Sequence, residues 1–93
     1  MRMSDQQYRH QSHPGIVKRL KRASGHLNGI VEMIESGRSC LDIAQQLHAV
    51  EKAITGAKRT FIQDHIDHCL GGESEPADPQ MAVHELKTLA KYL

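Results

Sequence analysis

An all-α fold is predicted by three features of the chain. Apolar residues recur at helical spacing in three separate runs, glycine and proline cluster between those runs, and aromatic residues are scarce. Tyr8, Phe61 and Tyr92 are the only aromatic residues and there is no Trp. The core is therefore aliphatic and small, which suits packed helices better than an aromatic-rich β-fold. The 93 residues make one small domain. Such a domain buries roughly 60–65% of its surface and gains robustness from disulfides, a metal or a partner subunit. The architecture expected is a three-helix protomer with a long central helix.

Residues 1–12 are polar and read as a disordered N-terminal tail, leaving 13–93 as the helical domain. Pro14 fits the first turn of a helix. Ile16, Leu20, Ala23, Leu27, Ile30 and Ile34 then follow in steps of four and three, flanked by Val17 and Val31, as in an amphipathic helix with a coiled-coil-like stripe. Gly37 ends it. The second run begins near Cys40 and carries Ile43, Ala44, Leu47, Val50, Ile54, Ala57, Phe61, His65 and Cys69 on one stripe, until Gly71-Gly72 stops it. Such a helix is about 45 Å long at 1.5 Å per residue. Residues 71–80 read as a loop. Pro79 opens a third helix with Ala82, Leu86, Leu89 and Leu93 on one face.

The second helix overruns a globule of this size, whose radius of gyration is about 12 Å. An antiparallel pairing with a second copy is inferred, and the small residues Ala49, Ala53, Gly56 and Ala57 stand where two backbones would cross.

Charge is uneven along the chain. Residues 1–40 carry seven Lys/Arg against three Asp/Glu, and residues 41–93 carry five against eight. That asymmetry hints at an anionic partner for the first half. Lys18, Arg19, Lys21 and Arg22 fall within just over one helical turn, and Lys58 and Arg59 add charge on the second helix. Repeated by symmetry they make a basic face for phosphates, although a solvated helix surface has the same composition. No apolar run approaches the ~18 residues of a membrane span, and the N-terminus lacks an apolar signal core. Two cysteines make no secreted disulfide framework. The reading is a cytoplasmic protein with reduced thiols and no membrane partner.

Seven histidines beside two cysteines point to transition metals. His65 and Cys69 are four residues apart and share a helical face, a bidentate grip for a metal. Alone, that pair equally describes an exposed polar residue and a buried small hydrophobe. Cys40 lies on the same stripe, ~38 Å away along a straight helix. It joins His65 and Cys69 only if two copies pair antiparallel, with the two-fold axis near Ala53, giving two equal sites per dimer. Two thiolates and an imidazole favour Cu(I), Zn(II) and, with added nitrogen, Ni(II). His10, His13 or a backbone nitrogen would add a fourth donor, and His68 flanks the site. His10 and His13 also fit a solvated tail.

These residues carry a resemblance. Over roughly residues 14–93 the chain resembles the CsoR/RcnR family of bacterial metal- and thiol-responsive repressors, through VKRLKRASGHLNGIVEMIESGRSC, IAQQLHAVEKAI and HIDHC. Cys40, His65 and Cys69 fall on the family's C-x24-H-x3-C pattern without a gap. The resemblance implies an all-α fold, a dimer of antiparallel central helices, and usually a tetramer as a dimer of dimers. It implies that the metal-free protein binds operator DNA and that the effector releases it, with a metal exporter as the usual regulated gene. The family's copper sensors carry a Glu behind the ligands in the third helix, matched by Glu85, and a Tyr beside the first Cys, where this chain has Ser39. The family's nickel/cobalt sensors add an N-terminal His, aligned here with Tyr8, though His10 and His13 are close by. IVKRLKRA, DIAQQLHAVEKA and DHIDHCL look most like the nickel/cobalt branch known as DmeR or NreA, so Ni(II)/Co(II) is favoured slightly over Cu(I).

Other classes compete less well. Formaldehyde sensors of the family have Pro after the initiator Met and lack the last Cys, and persulfide sensors lack the His; this chain has Arg2, Cys69 and His65. A metal-storage or chaperone protein would share the site without the basic face. A structural Zn(II) bundle would need metal to fold. An enzyme is disfavoured, since no phosphate loop or nucleophile elbow is present.

Overall fold

A computed structural model describes residues 12–70 and 79–93, with the side chains of residues 69 and 70 outside the description. The tail, His10, Tyr8 and the Gly71-Gly72 stop lie outside the described residues. Within them the chain is three α-helices and no strand: α1 (His13–Glu35), α2 (Cys40–Leu70) and α3 (Pro79–Ala90). This is the all-α architecture that the apolar spacing predicts, with α2 the longest at 31 residues.

The turn between α1 and α2 follows from Gly37 and Ser39. Gly37 has φ 79°, a left-handed conformation that costs an L side chain about 1–2 kcal/mol. Its N–H donates to the Ile34 carbonyl at 3.2 Å, and the Arg38 N–H donates to the Met33 carbonyl at 2.9 Å. This pair of bonds satisfies carbonyls that α1 would otherwise leave open. Two residues later the Ser39 Oγ accepts the Asp42 N–H at 3.1 Å, and the Ser39 carbonyl accepts the Ile43 N–H. Ser39 is thus the N-cap of α2. Arg38 and Asp42 approach to 3.6 Å, both well exposed, and such a pair adds little.

The described residues form two compact units, one of residues 14–57 and one of residues 58–70 and 79–93 with 12 and 13. In the first unit the buried side chains are Ile16, Ala23 and Ile30 of α1 with Val50 and Ala57 of α2. Each set keeps a seven-residue period, so one line of each helix faces inward. The predicted stripe therefore divides. Val17, Leu20, Leu27, Val31 and Ile34 of α1, and Leu47 and Ile54 of α2, remain 44–56% exposed. In the second unit Ile62 is the buried residue of α2, absent from the predicted stripe, and no residue of α3 is buried. Ala82, Leu86 and Leu89 are half-buried and Leu93 is exposed.

Candidate metal centre

Cys40 is the first residue of α2 and is an exposed free thiol. It belongs to the first unit, whereas His65 and Cys69 lie near the end of the same helix in the second. Among the described residues, no group of three or more His, Cys, Asp or Glu is arranged to hold a metal within the protomer.

The second unit does orient His65. Its Nε2 lies 2.8 Å from Glu85 Oε1, with His65 itself 29% exposed. An ionised carboxylate only accepts, so Nε2 carries the proton and donates. A metal at this ring would therefore take Nδ1, with Glu85 fixing the tautomer and ring plane from behind. Glu85 reaches His65 from nearly two turns into α3, which Pro79 starts.

His13 is placed differently from the tail reading. It is the first residue of α1, half-buried, with its ring stacked on Phe61 at a centroid distance of 5.0 Å and an interplanar angle of 11°. Beside it Ser12 Oγ donates to Asp64 Oδ2 at 2.7 Å. Phe61 and His65 are four residues apart on α2, so this stack stands one turn from the candidate ligand. His68 is half-buried on the same stretch of α2.

The basic residues also sort by face. In the first unit a cleft of about 330 Å³ is lined by Arg19, Arg22, His26 and Lys52 over a floor of Ala23, Ala53 and Gly56. Lys18 and Lys21 do not line it, because they lie about 100° and 160° round α1 from Arg19. Lys58 and Arg59 are exposed on α2 in the other unit. His26 and Lys52 escaped the sequence reading. The signal for His26 was its seven-residue offset from Arg19, and nothing local marked Lys52. His26 Nε2 donates to Gln46 Oε1, which ties α1 to α2 inside this unit.

No described helix is long and apolar enough to cross a membrane. The profile of the family described as metal-sensitive transcriptional repressor matches residues 12–92. A copper-sensing transcriptional repressor, CsoR, of Mycobacterium ulcerans (strain Agy99) is 36% identical over 76 residues, 82% of this chain and 65% of that protein. CsoR of Bacillus subtilis (strain 168) is 36% identical over 76 residues, 82% of this chain and 75% of that protein. The copper-sensing repressor RicR of Mycobacterium tuberculosis (strain H37Rv) is 35% identical over 54 residues, 58% of this chain and 56% of that protein. The three-helix architecture, the C-x24-H-x3-C spacing and the match along nearly the whole chain converge: the protein belongs to the metal-sensitive transcriptional repressor family, CsoR/RcnR, and not to a family of enzymes.

Proposed function

We propose that the protein is a copper-responsive repressor. The metal-free form binds operator DNA, and Cu(I) held by Cys40 of one protomer with the partner's His65 and Cys69 releases it. The observation that carries this reading is the hold of Glu85 on His65 Nε2. That hold presents Nδ1 as the third donor of a soft thiolate set, and two thiolates with one imidazole suit Cu(I). The copper-sensing relatives support the same choice of metal over the nickel/cobalt preference drawn from the sequence phrases.

Pairing comes from α2. Cys40, Leu47, Ile54 and Phe61 recur at seven-residue intervals and are all exposed, and His65 follows Phe61 by one turn. The ligands thus share the apolar face of α2 that the protomer leaves open, and an antiparallel copy covers that face while bringing the donors together. Dimers of this kind associate further into a tetramer. Metal repacks the α2 pair and shifts the assembly out of its DNA-binding state, a coupling typically of ~1–3 kcal/mol. Arg19, Arg22, Lys18, Lys21, Lys58 and Arg59 supply the phosphate contacts. A metal exporter is the fitting regulated gene, and the cytoplasm the fitting compartment.

A second reading has its own observation. The His13 ring stacks on Phe61, which stands one turn before His65 on α2, and a Ni(II) or Co(II) site with four donors takes an added nitrogen of this kind. An anaerobic mobility shift on the DNA upstream of the protein's own coding sequence separates the readings. Cu(I) releases the wild type, and Cys40→Ala stays bound with or without Cu(I). Release by Ni(II) alone, lost in His13→Ala, establishes the second reading. Absence of any shift by the metal-free protein contradicts both.

A further inference from the structure

The turn of α2 that carries His65 also holds the start of α1. Phe61, Asp64 and His65 stand at offsets of three and four, so they form one ridge of α2. Ser12 and His13 rest on that ridge within the second unit. Ser12 Oγ donates to Asp64 Oδ2 at 2.7 Å across 52 residues of chain, a length typical of a hydroxyl on a carboxylate. His13, the first residue of α1, stacks its ring on Phe61 at 5.0 Å. Among the described residues of this unit only Ile62 is buried. Specific side-chain contacts, and not a broad core, therefore fix where α1 begins.

The helix start has a need that Asp64 meets. The first turn of α1 contains no acidic residue, and Pro14 brings no N–H of its own. The other N–H groups of that turn have no acceptor within the helix and carry the positive end of its dipole. Asp64 supplies a carboxylate from α2, bonded to the residue just before α1 begins. It caps α1 from another helix, and its neighbour in sequence is the candidate ligand.

We propose that Asp64 is a positioning residue that fastens the start of α1 to the ligand-bearing turn of α2, so that metal uptake at His65 is felt at α1. The proposal rests on the reading of His65 as a metal ligand, and its consequence for DNA rests on the repressor reading. Asp64 and His65 are successive residues of one helix, so a shift of His65 toward a metal carries Asp64 with it. α1 runs unbroken from His13 to Glu35, with Lys18, Arg19, Lys21 and Arg22 close behind its first turn. Loosening or tightening that turn changes the footing of the basic block.

Hydrogen–deuterium exchange on the full chain, with and without bound Cu(I), tests this. The readout is the amides of residues 16–19, whose helical acceptors lie at the start of α1. In the metal-free protein Asp64→Ala is expected to speed them about fivefold, the usual worth of a lost cap, with residues 27–30 unchanged. Ser12→Ala is expected to do the same, and the double variant to match either single one. Ser12→Thr, which keeps the hydroxyl, is expected to retain the wild-type rate. Bound Cu(I) is expected to change the rates at residues 16–19 by about threefold or more in the wild type, and by less than about twofold in Asp64→Ala. A mobility shift on the DNA upstream of the coding sequence is the second readout. There Cu(I) is expected to weaken wild-type binding about 5–150-fold and Asp64→Ala binding by less than about threefold. Should Asp64→Ala lose helical signal, Ser12→Ala and Ser12→Thr carry both readouts. Wild-type exchange at α1 unmoved by bound Cu(I), a speeding equal along the whole helix, or Ser12→Thr no better than Ser12→Ala overturns the proposal. Exchange as expected in a wild type that keeps its DNA with Cu(I) bound would count against the repressor reading alone and leave Asp64 its role at α1.

Discussion

At the scale of single residues, Glu85 decides how His65 can act. Its carboxylate holds Nε2 at 2.8 Å although the two residues are 20 apart in the chain, and on the proposed reading ligation falls to Nδ1. Replacing such an outer partner typically lowers metal affinity about 10–100-fold. Glu85→Ala is therefore expected to weaken Cu(I) by that order in a chelator competition, with unchanged far-ultraviolet circular dichroism. Unchanged affinity would remove Glu85 from the site. That His65 and Cys69 share one helical stretch of α2 was legible in the sequence because four-residue spacing on a helix is a local signal. The ring nitrogen was not, since it depends on a bond between α2 and α3. Lys52 was illegible for the same reason: only the packing of α1 on α2 inside its unit puts it opposite Arg19 and Arg22.

At the scale of elements, helix ends were the clearest part of the sequence. Gly37, Pro14 and Pro79 act through their own backbones, so their effects need no tertiary information. Gly37→Ala is expected to destabilise by about 1 kcal/mol from the left-handed backbone, since the added Cβ itself meets open space. Ser39→Ala is expected to cost a similar ~1 kcal/mol through the lost cap on the Asp42 N–H. Urea melts at one fixed protein concentration measure both, and no change in either midpoint would contradict the turn described. Gly56 has the opposite sign. It interrupts no packing within its unit, so Gly56→Ala is expected to stabilise α2 by about 1 kcal/mol. A loss of self-association in that variant would instead place Gly56 at a close crossing of two helices, in line with the run of small residues around it. Which apolar residues face inward was less legible. Periodicity marks a stripe wider than one contact line, and it took packing to divide Ile16, Ala23 and Ile30 from Val17, Leu20 and Leu27.

At the scale of the whole molecule, the exposed apolar residues call for a partner. Val17, Leu20, Leu27, Val31 and Ile34 keep the three-four spacing of a helix-pairing seam on α1, and Leu47, Ile54 and Phe61 form a second line on α2, all 44–56% exposed. Completing the burial of each is worth roughly 1 kcal/mol, a gain that association with a second copy would supply. The thermal midpoint is accordingly expected to rise with protein concentration, and a midpoint independent of concentration would contradict obligate pairing. On the proposed reading the metal site belongs to the pair and not to the chain, which is the central claim. Mixing Cys40→Ala with His65→Ala tests it most directly, since neither variant alone retains a complete donor set. After subunit exchange, the mixed dimer holds one intact site, made from Cys40 of one chain with His65 and Cys69 of the other. The mixture is predicted to regain about one tight Cu(I) per four chains by random pairing. A mixture that binds no more Cu(I) than the separate variants would contradict a site shared between protomers.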